Sequence, residues 1–554
     1  MFKKMTKSRV LLVVLSVCML LTACGGSGNS QSALKTDVKS DIVTPAGELP
    51  VVTEPVTITM GFPEPSSVLD MDTNKYTVFL EEQTGINIEF EFFPATNPVE
   101  KVQMLLASNS ELPDVLMNLK LTANILMEYG GNQGFFYPLN DYIEEYGHWT
   151  QIMYKDAANP NVEKLMTSVD GNIYFMPMYV EQTGNVWNAK AWINKSWLDK
   201  LGVPMPTTTE EFRTALKAIK EGDPNGNGKA DEIPYTGSIN GTKEETFPFL
   251  MNSFIYCDYS NYWLDNNGKV EPAYVKDEWK AGLKYMSELA KEGLFDTQSL
   301  TQDTKTLRTI LRSPDVLVGS WAGNSIDLQM GVGSERILEY ASLAPLKGPE
   351  GVAYATRGTM TPSSSAGGVI TKYCENPAAA FRLMDFMLSE EASLRGRYGE
   401  PGVDWLSPQE GDVCIFENIG AEPFVKPVLA YGSVQNSHWG GNHVQFRHKK
   451  MSDGMIWDGD ILNGEYVKGQ ALSNYIGKAP EKTVDKLTFT IEESEEFESL
   501  KQLIRGYVRE HVAMYITGEK DIDADWDNYL AELDRMGLKR FVELAQTGYD
   551  RFLS

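Results

Sequence analysis

Cysteine, histidine and basic charge are all scarce in this chain. Its 554 residues include five Cys and five His. Cys18 and Cys24 lie near the N-terminus, which leaves Cys257, Cys374 and Cys414, an odd number without CxxC spacing. That excludes a disulfide framework and a cysteine zinc site. His438, His443 and His448 lie close in sequence, but a spacing of five does not align them on one helix face, and no carboxylate completes a metal motif. Lys and Arg number 50 against 76 Asp and Glu, a formal charge of -26. Such a balance argues against holding nucleic acid or another acidic surface by bulk electrostatics. Catalytic signatures are missing too: no GxSxG elbow, HExxH, GxxxxGK[ST] loop or strand-linked GxGxxG.

The N-terminus is richer in signal. Lys3, Lys4, Lys7 and Arg9 precede an apolar run from Val10 to Leu21, the pattern of a secretory leader. Leu21-Thr22-Ala23-Cys24 then matches the lipobox of bacterial lipoproteins, in which the cysteine is acylated and becomes the new first residue. Residues 1–23 are therefore read as a lipoprotein signal peptide and Cys24 as the lipidation site. Two or three acyl chains, at about 0.8 kcal/mol per buried methylene, hold a protein stably on a bilayer. Residues 24–54, which open on Gly25-Gly26-Ser27-Gly28, lack hydrophobic periodicity and predict a flexible tether with a reach of roughly 25–30 Å.

The remaining 500 or so residues are enough for two or three cores of ordinary size. Val56–Met60 reads as a strand, and Ile86, Ile88, Phe90 and Phe92 alternate with polar residues in a second. Between them Tyr76, Phe79 and Leu80 sit at helical spacing before Gly85. Asn97, Pro98 and Glu100 supply an N-cap, an N1 proline and a capping-box acid for a helix bearing Val102, Leu105 and Leu106. Thr208 and Glu211 form a second capping box ahead of Phe212, Leu216 and Ile219. Trp279, Leu283, Met286 and Ala290 make another apolar face, stopped by Gly293, and Asn376-Pro377 opens a helix carrying Phe381, Met384 and Leu388. Alternating strands and helices predict α/β domains with largely parallel sheets and ligand crevices at strand ends.

Several segments together resemble the extracellular solute-binding proteins of ABC transporters, in particular the large oligosaccharide-binding lipoproteins of the alginate-binding and LplA type. They are Leu106–Val115, Tyr137–Ile143, Asp170–Pro177, Ile193–Gly202, Pro204–Phe212 and Lys291–Leu294, and the likeness runs from about residue 55 to the C-terminus. The resemblance implies an α/β, two-lobed, periplasmic-binding-protein-like fold with discontinuous lobes that close about a hinge. It places the first lobe at 55–180 and 339–400 and the second at 181–338 and 401–554. The crossings then fall near Tyr179–Asn185, Glu335–Leu343 and Arg397–Val403. It implies a monomer on the outer face of the cell membrane that hands an oligosaccharide or related sugar to an ABC permease.

Two sites are expected. In Asp223–Glu232, oxygen-bearing side chains stand at positions 1, 3, 5 and 9 with glycine at 6, the spacing of an EF-hand loop that turns hard oxygen donors inward on calcium. Position 12, where a bidentate glutamate belongs, is Pro234. Alginate-binding relatives close a similar loop with an acid at position 10, here Glu232. That gives a structural calcium held by Asp223, Asn225, Asn227, Asp231 and Glu232 with the Lys229 carbonyl. The second site is a sugar groove, which needs aromatic platforms and planar polar groups. Candidates are Glu64, Asp114, Tyr179, Trp187, Trp321, Arg357, Trp405 and Trp439. No catalytic residue is assigned. Because glycoside hydrolysis needs only two carboxylates, a surface-anchored glycosidase or lyase stands as the alternative, with a peptide-binding receptor of the same fold as a third reading.

Overall fold

The computed structural model describes residues 38–241, 243–429 and 432–554. The leader, Cys24 and residues 24–37 lie outside that set. In chain order the strands are β1 (Val56–Pro63), β2 (Ile86–Phe93), β3 (Val115–Met117), β4 (Met176–Val180), β5 (Ala191–Asn194), β6 (Ile233–Thr236), β7 (Trp263–Asn266), β8 (Lys269–Pro272), β9 (Val318–Ala322), β10 (Tyr340–Leu343), β11 (Ser363–Ile370), β12 (Trp405–Leu406), β13 (Lys426–Pro427) and β14 (Gln445–Arg447). Two main sheets result, one ordered β14-β4-β11-β3-β1-β2 and the other β10-β5-β9-β6. Each lies against its own hydrophobic core, so the molecule has two lobes.

Local sequence explains much of the first lobe. Val56, Ile58, Met60 and Phe62 alternate inward along β1, which pairs in parallel with β2. On β2 the expected alternation holds for Ile86 and Ile88 and then fails: Phe92 is 45% exposed and Phe93 is buried. β2 is an edge strand, and its outer end is free to lay Phe92 against Phe90, ring on ring at 6.1 Å. The helix Lys75–Thr84 is capped by Asn74 and ends at Gly85, whose φ of 74° is the left-handed C-cap. Thr208 and Glu211 form the reciprocal capping box. Asn97 does not: its backbone is left-handed, and its amide donates to the Glu100 carboxylate instead of exposing an oxygen to the first turn.

Three expectations change. The sheets are mixed rather than largely parallel, because β11 inserts antiparallel to both β3 and β4 and β5 runs antiparallel to both of its neighbours. The first crossing falls between β4 and β5, and the second lies later than 335–343. Tyr340 and Leu343 pair with β5, Leu346 and Ala355 stay in the second core, and the chain returns to the first lobe only at β11. The third is not a single passage: Ile415 and Phe416 pack in the second core, and the chain then returns to the first, where β14 pairs with β4 and Val444 and Phe446 are buried. Which sheet a strand joins is decided by packing at long range, and local periodicity carries no mark of it.

The third change concerns the tether. Residues 38–54 fold onto the first lobe rather than forming a coil. Val51 and Val52 are buried, Val43 bridges Val52, and Ser40 N donates to the Tyr146 hydroxyl at 3.1 Å. The anchor is Arg382, 1% exposed, which donates to the carbonyls of Pro45 at 3.0 Å and Glu48 at 2.7 Å. Asp385, on the same helix (Pro377–Met387), accepts from the amides of His148, Trp149 and Thr150 and from the Thr150 hydroxyl. A carboxylate at a helix N-terminus satisfies donors that have no partner inside the helix.

Replacing Arg382 with Ala should therefore release residues 38–50 to proteases and lower the unfolding free energy by about 3 kcal/mol, the cost of breaking a buried charged contact. Limited proteolysis and urea unfolding check this. Cleavage kinetics and stability equal to wild type would refute the anchoring role.

Candidate functional site

Between the lobes lies a cavity of about 540 Å³. The second lobe contributes the loop from Tyr256 to Trp263, the stretch Thr483–Phe489 and one face of the helix Ile491–Thr517. Asn124 comes from the first lobe, and Asn188 and Thr356–Thr359 come from the two crossing segments. The lobes touch at its rim, where the Ser494 hydroxyl meets Asn124 Oδ1 at 3.1 Å.

The loop is held from within. Asp258 Oδ1 accepts from the amides of Ser260 at 2.6 Å, Asn261 at 2.8 Å and Tyr262 at 3.0 Å, and Tyr262 adopts a φ of 59°. Asn252 ties Cys257 to Thr356, so hydrogen bonds join the loop directly to the second crossing. Arg357 extends from that crossing to the Thr483 hydroxyl at 2.6 Å and to Asp485 at 3.5 Å. Tyr259 Oη, Asn261 Oδ1 and Trp263 Nε1 are buried with no hydrogen-bond partner among the described residues, on side chains that line the cavity. Aromatic faces beside unsatisfied donors and acceptors suit a ligand that is apolar on its faces and hydroxylated at its edges.

Of the eight groove residues expected from sequence, Arg357 lines this cavity. The structure places the others elsewhere. Asp114 is a strut, its Oδ2 accepting from the Thr59 amide and hydroxyl, both at 2.8 Å. Tyr179 is buried and stacks on Phe446. Trp321 stacks on Trp192 in the second core, Trp187 is buried in the same core, and Trp439 donates to the Thr77 hydroxyl inside the first. Trp405 donates to the Gly399 carbonyl beside the β12–β13 pair, and Glu64 is exposed past the end of β1. Large indoles bury most of their area, so an isolated Trp points first to a core. The loop that does line the cavity carried a usable signal: four aromatic residues among eight, interleaved with Asp258, Ser260 and Asn261.

The first crossing is pinned by buried carboxylates. Glu181 accepts from the Ala158 amide at 2.7 Å and the Lys449 amide at 3.3 Å, and Asp453 accepts from the Thr183 amide and hydroxyl at 2.8 and 2.6 Å. Further along, Lys190 is fully buried and donates to the Trp187 carbonyl and to Asn324 Oδ1. Burial pushes its ammonium down to about 7. Lys468 adds to that shift, Glu465 opposes it, and the Tyr475 ring lies 6.0 Å away.

The Asp223–Glu232 loop lies in the second lobe, between the helix Thr209–Glu221 and β6. Asp223 takes the amides of Gly226, Asn227 and Gly228, while Asn225 and Asn227 turn their side chains to Asp231 at 3.1–3.2 Å. Glu232 keeps both carboxylate oxygens buried, and burial, followed by the charges of Asp223 and Asp231, raises its pKa against the opposing backbone amides of Glu232 and Asn225. A cation would neutralise that crowding, so the donor set fits calcium. Among the described residues no three His, Cys, Asp or Glu gather tightly enough to hold a metal by themselves. The Asn side chains and the Lys229 carbonyl would have to complete the shell, as hard-oxygen calcium sites allow.

Lys190 predicts a pH dependence. Above about pH 7 the folded protein has released a proton that the unfolded chain, with an ordinary lysine value of 10.5, still holds. Unfolding then takes up a proton, and stability rises with pH across that window. Urea midpoints of wild type should climb from pH 7 to pH 10 relative to a Lys190→Met variant, and parallel profiles would refute this.

Comparison with known proteins closes the description. Residues 64–393 match the family model described as bacterial extracellular solute-binding protein. A fructooligosaccharide ABC transporter substrate-binding protein, FusA of Streptococcus pneumoniae, is 28% identical over 573 residues, spanning 100% of this chain and 99% of the relative. An EF-hand mutant of FusA solved with fructo-nystose superposes with a TM-score of 0.68 at 24% identity, covering 90% of this chain and 99% of that one. An extracellular solute-binding protein from Bifidobacterium longum subsp. infantis gives 0.72 at 22% identity with the same coverage.

Proposed function

Since the chain belongs to the bacterial extracellular solute-binding proteins, we propose that it captures an oligosaccharide between its lobes and presents it to an ABC permease. The observation that carries this reading is the interlobe cavity, with its aromatic loop and the unpaired polar groups of Tyr259, Asn261 and Trp263. Fructooligosaccharide is the cargo named for the pneumococcal relative. Ligand binding energy goes into bringing the lobes together, and the closed form is what a permease selects.

Two further parts complete the proposal. Cys24 carries the lipid that keeps the protein on the outer face of the membrane, a reading the lipobox supports. Calcium sits in the Asp223–Glu232 loop as a structural ion, where it would fix the path from the helix Thr209–Glu221 into β6. The function is binding without chemistry, as a monomer.

Calorimetric titration with fructo-, malto- and xylo-oligosaccharides, followed by chromatography of the recovered ligand, tests the first part. Saturable binding with intact sugar supports it. Shortened or unsaturated products would make the protein a glycosidase or lyase. For calcium, stripping with a chelator should lower the melting temperature and added calcium should restore it, by about 2.7 kcal/mol at a hundredfold excess over Kd. Glu232→Gln should blunt the response. A chelator-insensitive melt would remove the ion from the account.

A further inference from the structure

Charge in the interlobe cavity is not balanced by the protein alone. Four cationic side chains line it, and two of them have carboxylate partners: Arg357 lies against Asp485, and Lys501 meets both oxygens of Glu498 at 2.9 and 3.1 Å. The other two, Lys243 and Lys486, have none within salt-bridge distance among the described residues. Lys486 is half-buried, and its ammonium donates to the Leu165 carbonyl at 2.8 Å. Lys243 lies 4.5 Å over the Tyr259 ring. Two acids act on Lys243 without forming a salt bridge to it: Asp258, which lines the cavity and holds three backbone amides, and Glu245, whose Oε1 meets Arg509 at 3.0 Å while its Oε2 is buried with no hydrogen-bond partner among the described residues.

Both ammoniums feel this environment. Burial lowers Lys486 to about 8, with no carboxylate opposing it. Burial also lowers Lys243, although Asp258 and Glu245 act against it and Arg505 acts with it. In a chain of net charge -26, a cavity lined by four cations against three carboxylates, Asp258, Asp485 and Glu498, stands out. A half-buried charge costs free energy that a carbonyl or an aromatic face offsets only in part. An anionic oxygen offsets it through a short, charge-assisted hydrogen bond, which a neutral hydroxyl makes less strongly.

We propose that the sugar taken by this cavity is anionic, bearing a uronate carboxylate or a sulfate ester, and that Lys243 and Lys486 are the specificity-determining residues that receive the charge. This rests on the reading of the cavity as a glycan site. It adds that the acidic member of a matched pair binds and its neutral counterpart binds poorly.

The test is a titration of the full mature protein with matched probes: oligogalacturonides and their carboxyl-reduced counterparts, sulfated and desulfated carrageenan fragments, which carry no uronate, and neutral fructo- and malto-oligosaccharides. The uronate or the sulfated member should bind about tenfold or more tightly than its neutral partner, and which of the two does so identifies the anion. Added salt should erode that preference. Lys486→Gln and Lys243→Gln should each reduce the ratio severalfold, and the double variant should bring it near one. Unliganded melting curves would confirm that the variants remain folded, and the salt dependence of wild type tests the charge without any substitution. Neutral sugars binding as tightly as acidic ones would overturn the anionic assignment and leave the glycan-binding function standing. Failure of every probe to bind would overturn both.

Discussion

Everything functional here depends on the chain leaving one packed core for another and returning, with polar rather than apolar contacts at the point of passage. Each lobe is built on its own hydrophobic core, and among the described residues the two cores do not merge across the seam, although Leu165 reaches from a helix of the first lobe into the second core. The seam is pinned instead by a few buried carboxylates. Glu181 and Asp453 hold the backbone at Ala158, Thr183 and Lys449. Hydrogen bonds of this kind are directional and fix where the chain turns without filling the space beside it. A cavity between the lobes is the consequence.

What lines that cavity is decided by the second lobe. Asp258 organises the loop that carries Tyr256, Tyr259, Asn261 and Trp263, and Asn252 with Thr356 ties the loop to the crossing that bears Arg357. In the proposed function, motion of the crossing would carry this surface with it. Recognition would then be linked to lobe geometry through a short run of hydrogen bonds, the way a ligand shifts a two-lobed protein toward a closed shape.

Local structure was readable from the chain because its causes are local. The capping box at Thr208 and Glu211, the glycine stop at Gly85 and the apolar face of Trp279, Leu283 and Met286 need no knowledge of distant residues. The family likeness likewise rests on contiguous segments. The second and third crossings, the inserted β11 and the folded segment 38–54 were not readable, because each depends on partners hundreds of residues away, such as Arg382 reaching Pro45. The groove failed for a different reason. Trp321, Trp439 and Tyr179 have the chemistry of a sugar platform, but a large aromatic gains more by burial in a core. The residues facing the cavity are aromatic too, distinguished by the Asp and Asn between them.

The central claim is that one ligand is held by both lobes at once. Hydrogen–deuterium exchange of the protein with and without a bound oligosaccharide measures this directly. The account predicts that saturation slows exchange together in the loop 256–263, the crossing 356–361, the segment 483–498 and the short helix at 123–126 of the first lobe. Protection confined to a single lobe, or to a surface away from the seam, would contradict it.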